Sequence, residues 1–445
     1  MTINYPHRPH KLILTQLLES GLAAADPGLA IQRLCTVKSS VLTIKRRRYH
    51  LKNYNRVVCI GVGKASAKMG QALRQRLGNR LDDGLLVVKD LPKFSLKNIE
   101  IFQAGHPTPD SRSRQAATLV QQILRSLTPQ DLLLTLISGG ASSLVASPAP
   151  GLTLKDKQLT TNQLLRSGAS IQEINTVRKH LSALKGGKLL TTTSATVISL
   201  ILSDVLGDDL ETIGSGLTAS DSSTFLQARH ILNKYHLWKH ASVAVKRHIE
   251  KGIHELVPET LKPGDPHLKR VHNVIIGNNQ LAVRQISKTA KQLGLRPIIQ
   301  TRSLENEATE AGNRIAVFAK RIHKTKNTIR RPSCIIWGGE PTVKVTGNGK
   351  GGRAQECALS AAIGISGLPN MIVAGFGTDG SDGPTDVAGA VVNGETFVRA
   401  KKKNLDACKF LQSHNSYTFF KRAGGHIRTG STGTNVNDIY LLLAL

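Results

Sequence analysis

Residues 57–66 read VVCIGVGKAS, an apolar run that ends in a glycine-rich turn. Beyond it, Met69, Leu73 and Leu77 fall on one face at helical spacing, so the stretch predicts a β-strand leading into a helix. Similar apolar runs end in Gly/Ser/Asp turns at 132–143, 197–209, 334–340 and 371–386. This alternation predicts an α/β protein with an N-terminal Rossmann-like, mainly parallel sheet flanked by helices and a smaller C-terminal α/β domain.

The glycine-rich turns are the expected place of function. In an open α/β sheet, ligands bind beyond the carboxyl ends of the strands, where such loops meet. Glycines let backbone N–H groups approach an anion closely, and nearby Asp residues can hold its metal ion. The pattern therefore indicates an enzyme that handles a phosphorylated ligand.

A chain of 445 residues exceeds what one hydrophobic core usually serves, so we expect two domains. The polar, turn-rich stretch PETLKPGDP at 258–266 is the candidate boundary. We predict domains over 1–257 and 267–445, with the second set of strands opening at Val271–Ile276. An amphipathic helix is expected over Lys11–Ala25, and another from a capping box at Ser170 to Gly186 and Gly187.

The chain is strongly basic, since 60 Lys and Arg against 30 Asp and Glu give a formal net charge of +30. Such a charge is typical of proteins that bind nucleic acid or anionic membranes. Here the basic residues are spread along the chain, aromatic residues make up only 4%, and no base-stacking platform is visible. We interpret the charge as a property of a basic proteome or as attraction for anionic metabolites, and keep a nucleic-acid binder as the less favoured alternative.

The five cysteines are far apart and form no CxxC pair, which supports neither a zinc site nor a disulfide framework. Cys59 and Cys334 lie in apolar runs and are expected to be buried thiols. No stretch reaches the roughly 18 apolar residues that span a bilayer. A cytoplasmic protein is expected, with an organelle transit peptide as an alternative because the first eighteen residues lack acids.

The turn at Gly61–Ser66 matches two phosphate fingerprints only in part. A Walker A loop requires GxxxxGK[ST], but Ala65 follows Lys64 and the upstream spacing fails. The dinucleotide pattern GxGxxG matches Gly61 and Gly63 but has Ser66 in its third position. Lys64 at this turn either balances charge on a transferring phosphate or is an ordinary solvated lysine.

The other turns supply further candidates, each with a structural alternative as a turn, a helix cap or a solvated loop. They are Ser138, Gly139, Gly140, Ala141 and Ser142 for phosphate or nucleotide; Asp204 for a metal or a proton; Asp379 and Asp382 for a metal; Arg353 for phosphate or carboxylate; and Glu340, Gly351 and Gly352 for substrate contact or loop support.

Taken together, these segments resemble type II glycerate kinases, the glycerate 2-kinase family with a MOFRL C-terminal domain. The matching stretches occur in family order and cover nearly the whole chain. They are GVGKA, AGHPTPD, LISGGASSL, PAPGLTLKDKQ, INTVRKHLSALKGGKL, LILSDVLGDDLETIGSG, GGE, GKGGRAQE, GTDGSDGPTD and TGTNVND.

The resemblance implies two α/β domains with the active site in the cleft between them. It implies transfer of the ATP γ-phosphate, with Mg²⁺, to the 2-hydroxyl of D-glycerate, which gives 2-phosphoglycerate and ADP. The family's proposed catalytic lysine falls on Lys64 and its key arginine on Arg353. Neither a specific nucleic acid nor a membrane is implied as a partner, and the oligomeric state is left open, with a homodimer among the alternatives.

The chain departs from the usual family motifs at several positions, which bears on affinity and turnover more than on fold. Ala141 replaces a glycine, which would restrict the backbone if that position needs a positive φ. Leu206, Leu217 and Ser431 replace prolines, Ala354 replaces an asparagine, and His414-Asn415 stands where Asn-Asp is usual.

An NAD(P)H-dependent hydroxypyruvate reductase is the main rival, because relatives of this family have carried that label. It requires a complete dinucleotide fingerprint and an acidic ribose-binding residue, and the sequence shows only fragments of these.

Overall fold

The protein is described from a computed structural model that covers residues 1–300, 303–324 and 330–445. The chain divides into two compact units. The N-terminal unit is Pro27–Ile276, and the C-terminal unit combines Met1–Asp26 with Gly277–Leu445.

The strands are β1 Thr2–Ile3, β2 Cys35–Lys38, β3 Val41–Ile44, β4 Arg47–His50, β5 Val57–Val62, β6 Asp83–Val88, β7 Glu100–Gln103, β8 Leu132–Ile137, β9 Thr196–Leu202, β10 Val271–Gly277, β11 Arg296–Ile299, β12 Ser333–Gly339, β13 Met371–Gly377, β14 Gly389–Asn393, β15 His426–Arg428 and β16 Asp438–Ala444. The helices are α1 Arg8–Ala25, α2 Pro27–Leu34, α3 Ser66–Leu77, α4 Ser111–Ser126, α5 Ala141–Leu144, α6 Leu154–Arg166, α7 Ile171–His180, α8 Phe225–Lys234, α9 Val243–Ile253, α10 Asn279–Gln292, α11 Ala308–Lys324, α12 Arg353–Gly364, α13 Thr396–Lys402, α14 Ala407–Gln412 and α15 Ser416–Ala423.

A six-stranded sheet forms the centre of the N-terminal unit, with the strand order β10-β9-β8-β5-β6-β7. The pairs β9–β8, β8–β5, β5–β6 and β6–β7 are all parallel. Every residue of β5 and β8 is buried, which explains why these strands are continuous apolar runs rather than alternating ones. The predicted α/β class with a mainly parallel first sheet is confirmed.

The topology of this sheet positions the candidate loops. Because β5, β8 and β9 are parallel neighbours, their carboxyl ends lie at one edge of the sheet. The turns after these strands are the ones that begin with Gly63, Ser138 and Ser203. Three of the predicted phosphate and metal segments therefore meet at the edge where open α/β sheets bind ligands.

The C-terminal unit is built on a seven-stranded mixed sheet, with the order β1-β15-β14-β13-β16-β12-β11. Strand β16, next to the central strand β13, pairs antiparallel with both β12 and β13 and has every residue buried. The helices α11 and α12 pack on this sheet through small side chains such as Ala311, Ala358 and Ala361. The N-terminus of α12, at Arg353, is the part of this unit that concerns the site.

Three features differ from what the sequence patterns predict. Helix α1 belongs to the C-terminal unit, where Gly21 packs against Ile286 and Ile439, whereas the predicted first domain includes it. Strand β10 was expected to open the second set but lies beside β9 in the first sheet. An amphipathic face or an apolar run shows that a segment is buried, but not which neighbour buries it.

The third difference concerns α7. Its capping box at Ser170 is confirmed, but the helix ends at His180, so the predicted extension to Gly186 and Gly187 is wrong. The following residues instead pair with 147–149, through a bridge between Ser182 and Pro148 and a hydrogen bond from Ala149 N to Leu181 O of 3.1 Å. This tertiary pairing stops the helix before the glycines.

Candidate active site

The turns after β5 and β8 are joined by short hydrogen bonds. Lys64 N donates to Gly139 O at 2.9 Å, and Ala65 N donates to Ser138 Oγ at 3.0 Å. Gly63 has a φ of +136°, and a Cβ there would collide with Ser138. Only glycine suits that position, and the contact fixes the Lys64 backbone against the 138–142 loop while its side chain stays exposed.

Asp204 lies against the same loop from the turn after β9. A Cβ placed on Gly139 would collide with the Asp204 carboxylate, so the carboxylate lies directly against the Gly139 backbone. Asp204 is partly exposed. The structure thus brings the predicted residues Lys64, Gly139 and Asp204 together.

His106, from the AGHPTPD stretch, is a further neighbour of this loop. A Cβ on Gly140 would lie 2.9 Å from His106 Cδ2 and 3.4 Å from Lys64 Cγ, so the imidazole and the lysine both flank this glycine. Burial, and then the charges of Lys64 and Lys89, lower the pKa of His106 to about 4. His106 is therefore neutral at physiological pH, and it adds no positive charge beside Lys64.

The backbone conformation at position 141 explains why alanine is tolerated in place of the usual glycine. The positive φ of this turn is at Gly140, at +86°, whereas Ala141 opens α5 and is not among the residues with positive φ. Its methyl group is buried in the core. Replacement of glycine at position 141 therefore imposes no backbone strain.

Ser142 connects the loop to buried polar groups that the sequence reasoning missed. Its hydroxyl bonds Ser215 Oγ at 2.6 Å, and its carbonyl accepts a hydrogen bond from Lys185 Nζ at 2.6 Å. Lys185 is only 2% exposed. Lys185 belongs to the stretch INTVRKHLSALKGGKL, which the sequence analysis quoted. The sequence did not show that this lysine is buried, because its burial depends on α7 ending at His180.

Arg353 is held by two carboxylates within the C-terminal unit. Its Nε donates to Asp438 Oδ2 at 2.6 Å, its Nη2 to Asp438 Oδ1 at 3.2 Å and its Nη1 to Glu340 Oε1 at 2.8 Å. Burial alone would lower the pKa of Arg353, but Asp438 and Glu340 raise it above its usual value. Burial raises the pKa of Asp438, and the Arg353 charge opposes that shift.

Glu340, a predicted site residue, thus lies beside Arg353. The second partner of Arg353, Asp438, was not singled out by the sequence analysis. Asp438 begins β16 and Glu340 directly follows β12, its neighbour in the sheet. Glu340 Oε2 also accepts a hydrogen bond from Asn437 Nδ2 at 2.6 Å. Arg353 uses three of its five N–H groups in these bonds, and the remaining two leave it able to contact a ligand.

Asp382 serves as the N-terminal cap of α12. It is 3% exposed, and its two oxygens accept hydrogen bonds from Ala354 N at 3.0 Å and from Gln355 N at 2.8 Å. A Cβ on Gly352 would collide with Asp382, so Gly352 allows the two segments to touch. This contact positions Arg353, the first residue of the helix.

Asp379 and Gly351, two further predicted site residues, make fewer contacts than Asp382. Asp379 is partly exposed, and its Oδ1 accepts a hydrogen bond from Ser381 N at 3.0 Å, as in an Asx turn. Gly351 packs against Ser416, where a side chain would collide with the hydroxyl. Lys350 Nζ lies 4.8 Å from the Tyr417 ring centroid, so the lysine makes a cation–π contact with that ring.

The described residues contain no group of three or more His, Cys, Asp and Glu side chains arranged to hold a metal ion. Cys59 and Cys334 are buried, as predicted, and this burial raises the pKa of both thiols to about 12. Within the ranges that the structure covers, none of the helices has the length and apolar character needed for a membrane span.

A mainly parallel sheet with glycine-rich loops and a lysine at its carboxyl edge is the arrangement of α/β enzymes that bind phosphate-bearing ligands. Residues 13–250 match a domain described as a domain of unknown function (DUF4147), and residues 333–438 match the MOFRL family.

Two curated relatives are similar along most of their length. The chain is 42% identical to a glycerate 2-kinase of Pyrococcus horikoshii, with 96% of both chains covered. It is also 42% identical to a D-glycerate 2-kinase of Thermotoga maritima, over 87% of this chain and 91% of the relative. The crystal structure of glycerate kinase from Thermotoga maritima superposes with a TM-score of 0.88 at 38% identity, covering 99% of this chain and 100% of the other. The chain belongs to the glycerate 2-kinase family with a MOFRL domain.

Proposed function

We propose that this protein is an ATP-dependent kinase that phosphorylates the 2-hydroxyl of D-glycerate to give 2-phosphoglycerate and ADP. The observation that carries the proposal is the meeting of Lys64, the 138–142 loop and Asp204 at one edge of a parallel sheet, in a chain of this family. In phosphoryl transfer, positioning and charge neutralisation supply most of the catalysis. This edge offers backbone N–H groups, one cation and one carboxylate for that purpose.

The N-terminal unit provides the phosphate contacts of this proposal. Lys64 neutralises charge on the transferring phosphoryl group, and the loop Ser138–Ser142 binds nucleotide phosphates through its backbone. Asp204 accepts the proton of the attacking hydroxyl or holds the metal ion. His106 stays neutral beside Lys64, so the lysine charge is the one that acts on the phosphate.

The C-terminal unit provides Arg353, which we propose acts with Lys64 on the same transferring group or on the glycerate carboxylate. The proposed location of the reaction is the cleft that the family resemblance implies. The hydrogen bonds that Arg353 donates to Glu340 and Asp438 fix the guanidinium plane before any ligand binds, which lowers the entropy lost on binding. Gly351, Gly352 and Asp382 hold the loop and the helix end that carry Arg353.

We propose Mg²⁺ as the metal ion, since it commonly uses one or two protein carboxylates together with water and substrate phosphates. Asp204 and Asp379 fit this use because both are partly exposed carboxylates beside glycine turns. Asp382 fits it less well because its oxygens cap α12, and we propose that it orders the helix instead. The metal ion would neutralise phosphate charge during transfer.

The proposed partner is thus a small hydroxy acid rather than nucleic acid, and the proposed compartment is the cytoplasm. The cysteines, four buried and one exposed, are all unpaired, which favours a reducing environment.

A coupled assay with purified protein tests the proposal. ADP should form only when ATP, Mg²⁺ and D-glycerate are all present, and L-glycerate should give little or none. Phosphorus NMR should then show 2-phosphoglycerate as the product. ADP formation at the same rate without glycerate, or a product phosphorylated at the 3-position, would contradict the proposal. Hydroxypyruvate with NADH in place of glycerate and ATP serves as the control for the reductase alternative.

A further inference from the structure

Three cationic side chains lie in the interior of the N-terminal unit beside the 138–142 loop. Lys157 is 7% exposed, Lys185 is 2% exposed, and Arg178 is partly buried near both. Lys185 Nζ donates to the Ser142 carbonyl at 2.6 Å, and Lys157 Nζ donates to the Leu181 carbonyl at 3.0 Å. These residues come from the family stretches PAPGLTLKDKQ and INTVRKHLSALKGGKL, to which the proposed mechanism gives no role.

The cluster lacks the carboxylates that normally accompany buried cations. Within the described residues, Lys157, Arg178 and Lys185 form no ion pair with an acidic group, whereas the neighbouring Lys179 lies 2.5 Å from Asp221. Burial, together with the charge of Arg178, lowers the pKa of both Lys157 and Lys185 well below the ordinary value. Unpaired buried cations are costly, so the arrangement is one that a bound anion would stabilise.

The unused hydrogen-bond donors of this cluster face solvent. Throughout the part of the chain that the structure describes, the Arg178 guanidinium and the Asn175 Nδ2 amide have no hydrogen-bond acceptor. Neither group is fully enclosed by other protein atoms. Both therefore border space that solvent, and hence a ligand, can reach.

Arg178 and Asn175 are three residues apart on α7 and so lie on the same face of that helix. Asn175 Oδ1 accepts a hydrogen bond from Ser215 Oγ at 3.4 Å, and Ser215 bonds Ser142 of the phosphate loop at 2.6 Å. The unused donors are thus linked through two serines to the loop that carries Gly139 and Gly140. Their position is continuous with the edge where the reaction is proposed.

We propose that Arg178, Lys185 and Asn175 form an oxyanion-binding subsite that holds a carboxylate or phosphate group of one of the two reactants. The planar guanidinium binds either group through two parallel hydrogen bonds, and the lysine adds a point charge. As an element of substrate binding, the inference rests on the proposed kinase function. The two sources of the oxyanion are the carboxylate of D-glycerate and the phosphates of ATP.

Steady-state kinetics of Arg178→Gln distinguish the two sources. The matched control is Arg166→Gln, which removes the same charge from an exposed position on α6. If the subsite holds the glycerate carboxylate, Arg178→Gln raises the KM for D-glycerate by about tenfold or more and leaves the KM for ATP near the wild-type value. If it holds nucleotide phosphate, the KM for ATP rises instead. Unchanged KM values for both reactants would overturn the inference while leaving the kinase proposal intact.

A binding measurement decides the same question without relying on turnover. Inorganic phosphate should raise the thermal unfolding temperature of the wild type and of Arg166→Gln, and should raise that of Arg178→Gln much less. An equal shift in all three proteins, or no shift in any of them, would overturn the inference. Because this arm needs no activity, an inactive wild type would refute the kinase proposal without deciding the oxyanion subsite.

Lys185→Met separates binding from a structural role. Removal of an unpaired buried cation should leave the ligand-free protein at least as thermostable as the wild type, while the stabilisation by phosphate is lost. A variant that unfolds at a markedly lower temperature and still responds to phosphate would show that Lys185 is structural, and would remove it from the subsite.

Discussion

Arg353 Nε lies 2.6 Å from Asp438 Oδ2, and the second oxygen of that carboxylate accepts a further bond from the same guanidinium at 3.2 Å. Asp438 is 2% exposed, so this carboxylate depends on Arg353 for its charge balance. The arginine that the family resemblance makes a key residue is therefore also part of the structure of its own unit. Its two roles can be separated experimentally.

Arg353→Ala should both abolish phosphorylation and destabilise the fold, because it leaves the Asp438 carboxylate buried and unpaired. We expect a loss of about 2–4 kcal/mol in the free energy of unfolding, measured by urea denaturation. Adding Asp438→Asn to this variant should recover part of the stability without recovering activity. Recovery of activity in the double variant would show that Arg353 acts only through the fold.

Gly139→Ala should lower kcat/KM by about a hundredfold, because the new Cβ displaces the Asp204 carboxylate from the phosphate loop. The matched control is Ala141→Gly, two residues later in the loop. That change should cost only about 1 kcal/mol of stability, since Ala141 is already helical and unstrained. Equal kinetic effects of both substitutions would contradict the assigned contact between Gly139 and Asp204.

Asp382 and Asp379 should respond differently to the same change from Asp to Ala. Asp382→Ala removes the cap of α12 and should cost about 1–2 kcal/mol in the free energy of unfolding, measured by urea denaturation. Asp379→Ala should change the free energy of unfolding by less than about half of that, because its carboxylate is more exposed.

The kinetic readout for this pair is the Mg²⁺ concentration that gives half-maximal activity. We expect Asp379→Ala to raise it if the carboxylate supports the metal ion. A large loss of stability for Asp379→Ala, with unchanged Mg²⁺ dependence, would assign Asp379 to turn formation alone.

The pKa of His106 should report its distance from Lys64. Lys64→Met removes one of the charges that lower this pKa, so the value should rise from about 4 but stay below the ordinary histidine range because the burial remains. Proton NMR of the imidazole across the pH range gives the measurement. Lys93→Met, at an exposed position, is the control and should leave the titration unchanged. An identical titration in wild type and Lys64→Met would contradict the proximity of the two side chains.

The same pKa predicts how stability varies with pH. The folded-state pKa of about 4 lies below the ordinary histidine value, so between these values the unfolded chain binds more protons than the folded one. The contribution of His106 to stability is therefore complete above pH about 6.5 and is lost as the pH falls towards 4. His106→Gln should flatten the dependence of the unfolding free energy on pH across that window. A steeper dependence in the variant would contradict the assigned direction.

The sequence by itself determined the strand-and-turn pattern that contains Lys64, the 138–142 loop and Asp204. Apolar runs that end in glycine turns predict buried strands and place Lys64, Ser138–Ser142 and Asp204 at strand ends, because strands buried on both faces must be apolar throughout. The ordered family motifs added Arg353 and the choice of chemistry. These features are local in the chain, so a linear pattern suffices to find them.

Only the tertiary structure decided which side chains face each other. The tertiary structure ended α7 at His180 and so allowed Lys185 to donate a hydrogen bond to the Ser142 carbonyl. It also placed Asp438 beside Arg353, which is 85 residues away in the chain. It also assigned α1 to the C-terminal unit and turned Asp382 into a helix cap. The physical reason is that strand partners, packed faces and cap acceptors are selected by burial and hydrogen bonding between distant segments, and the periodicity of one segment carries no information about its partner.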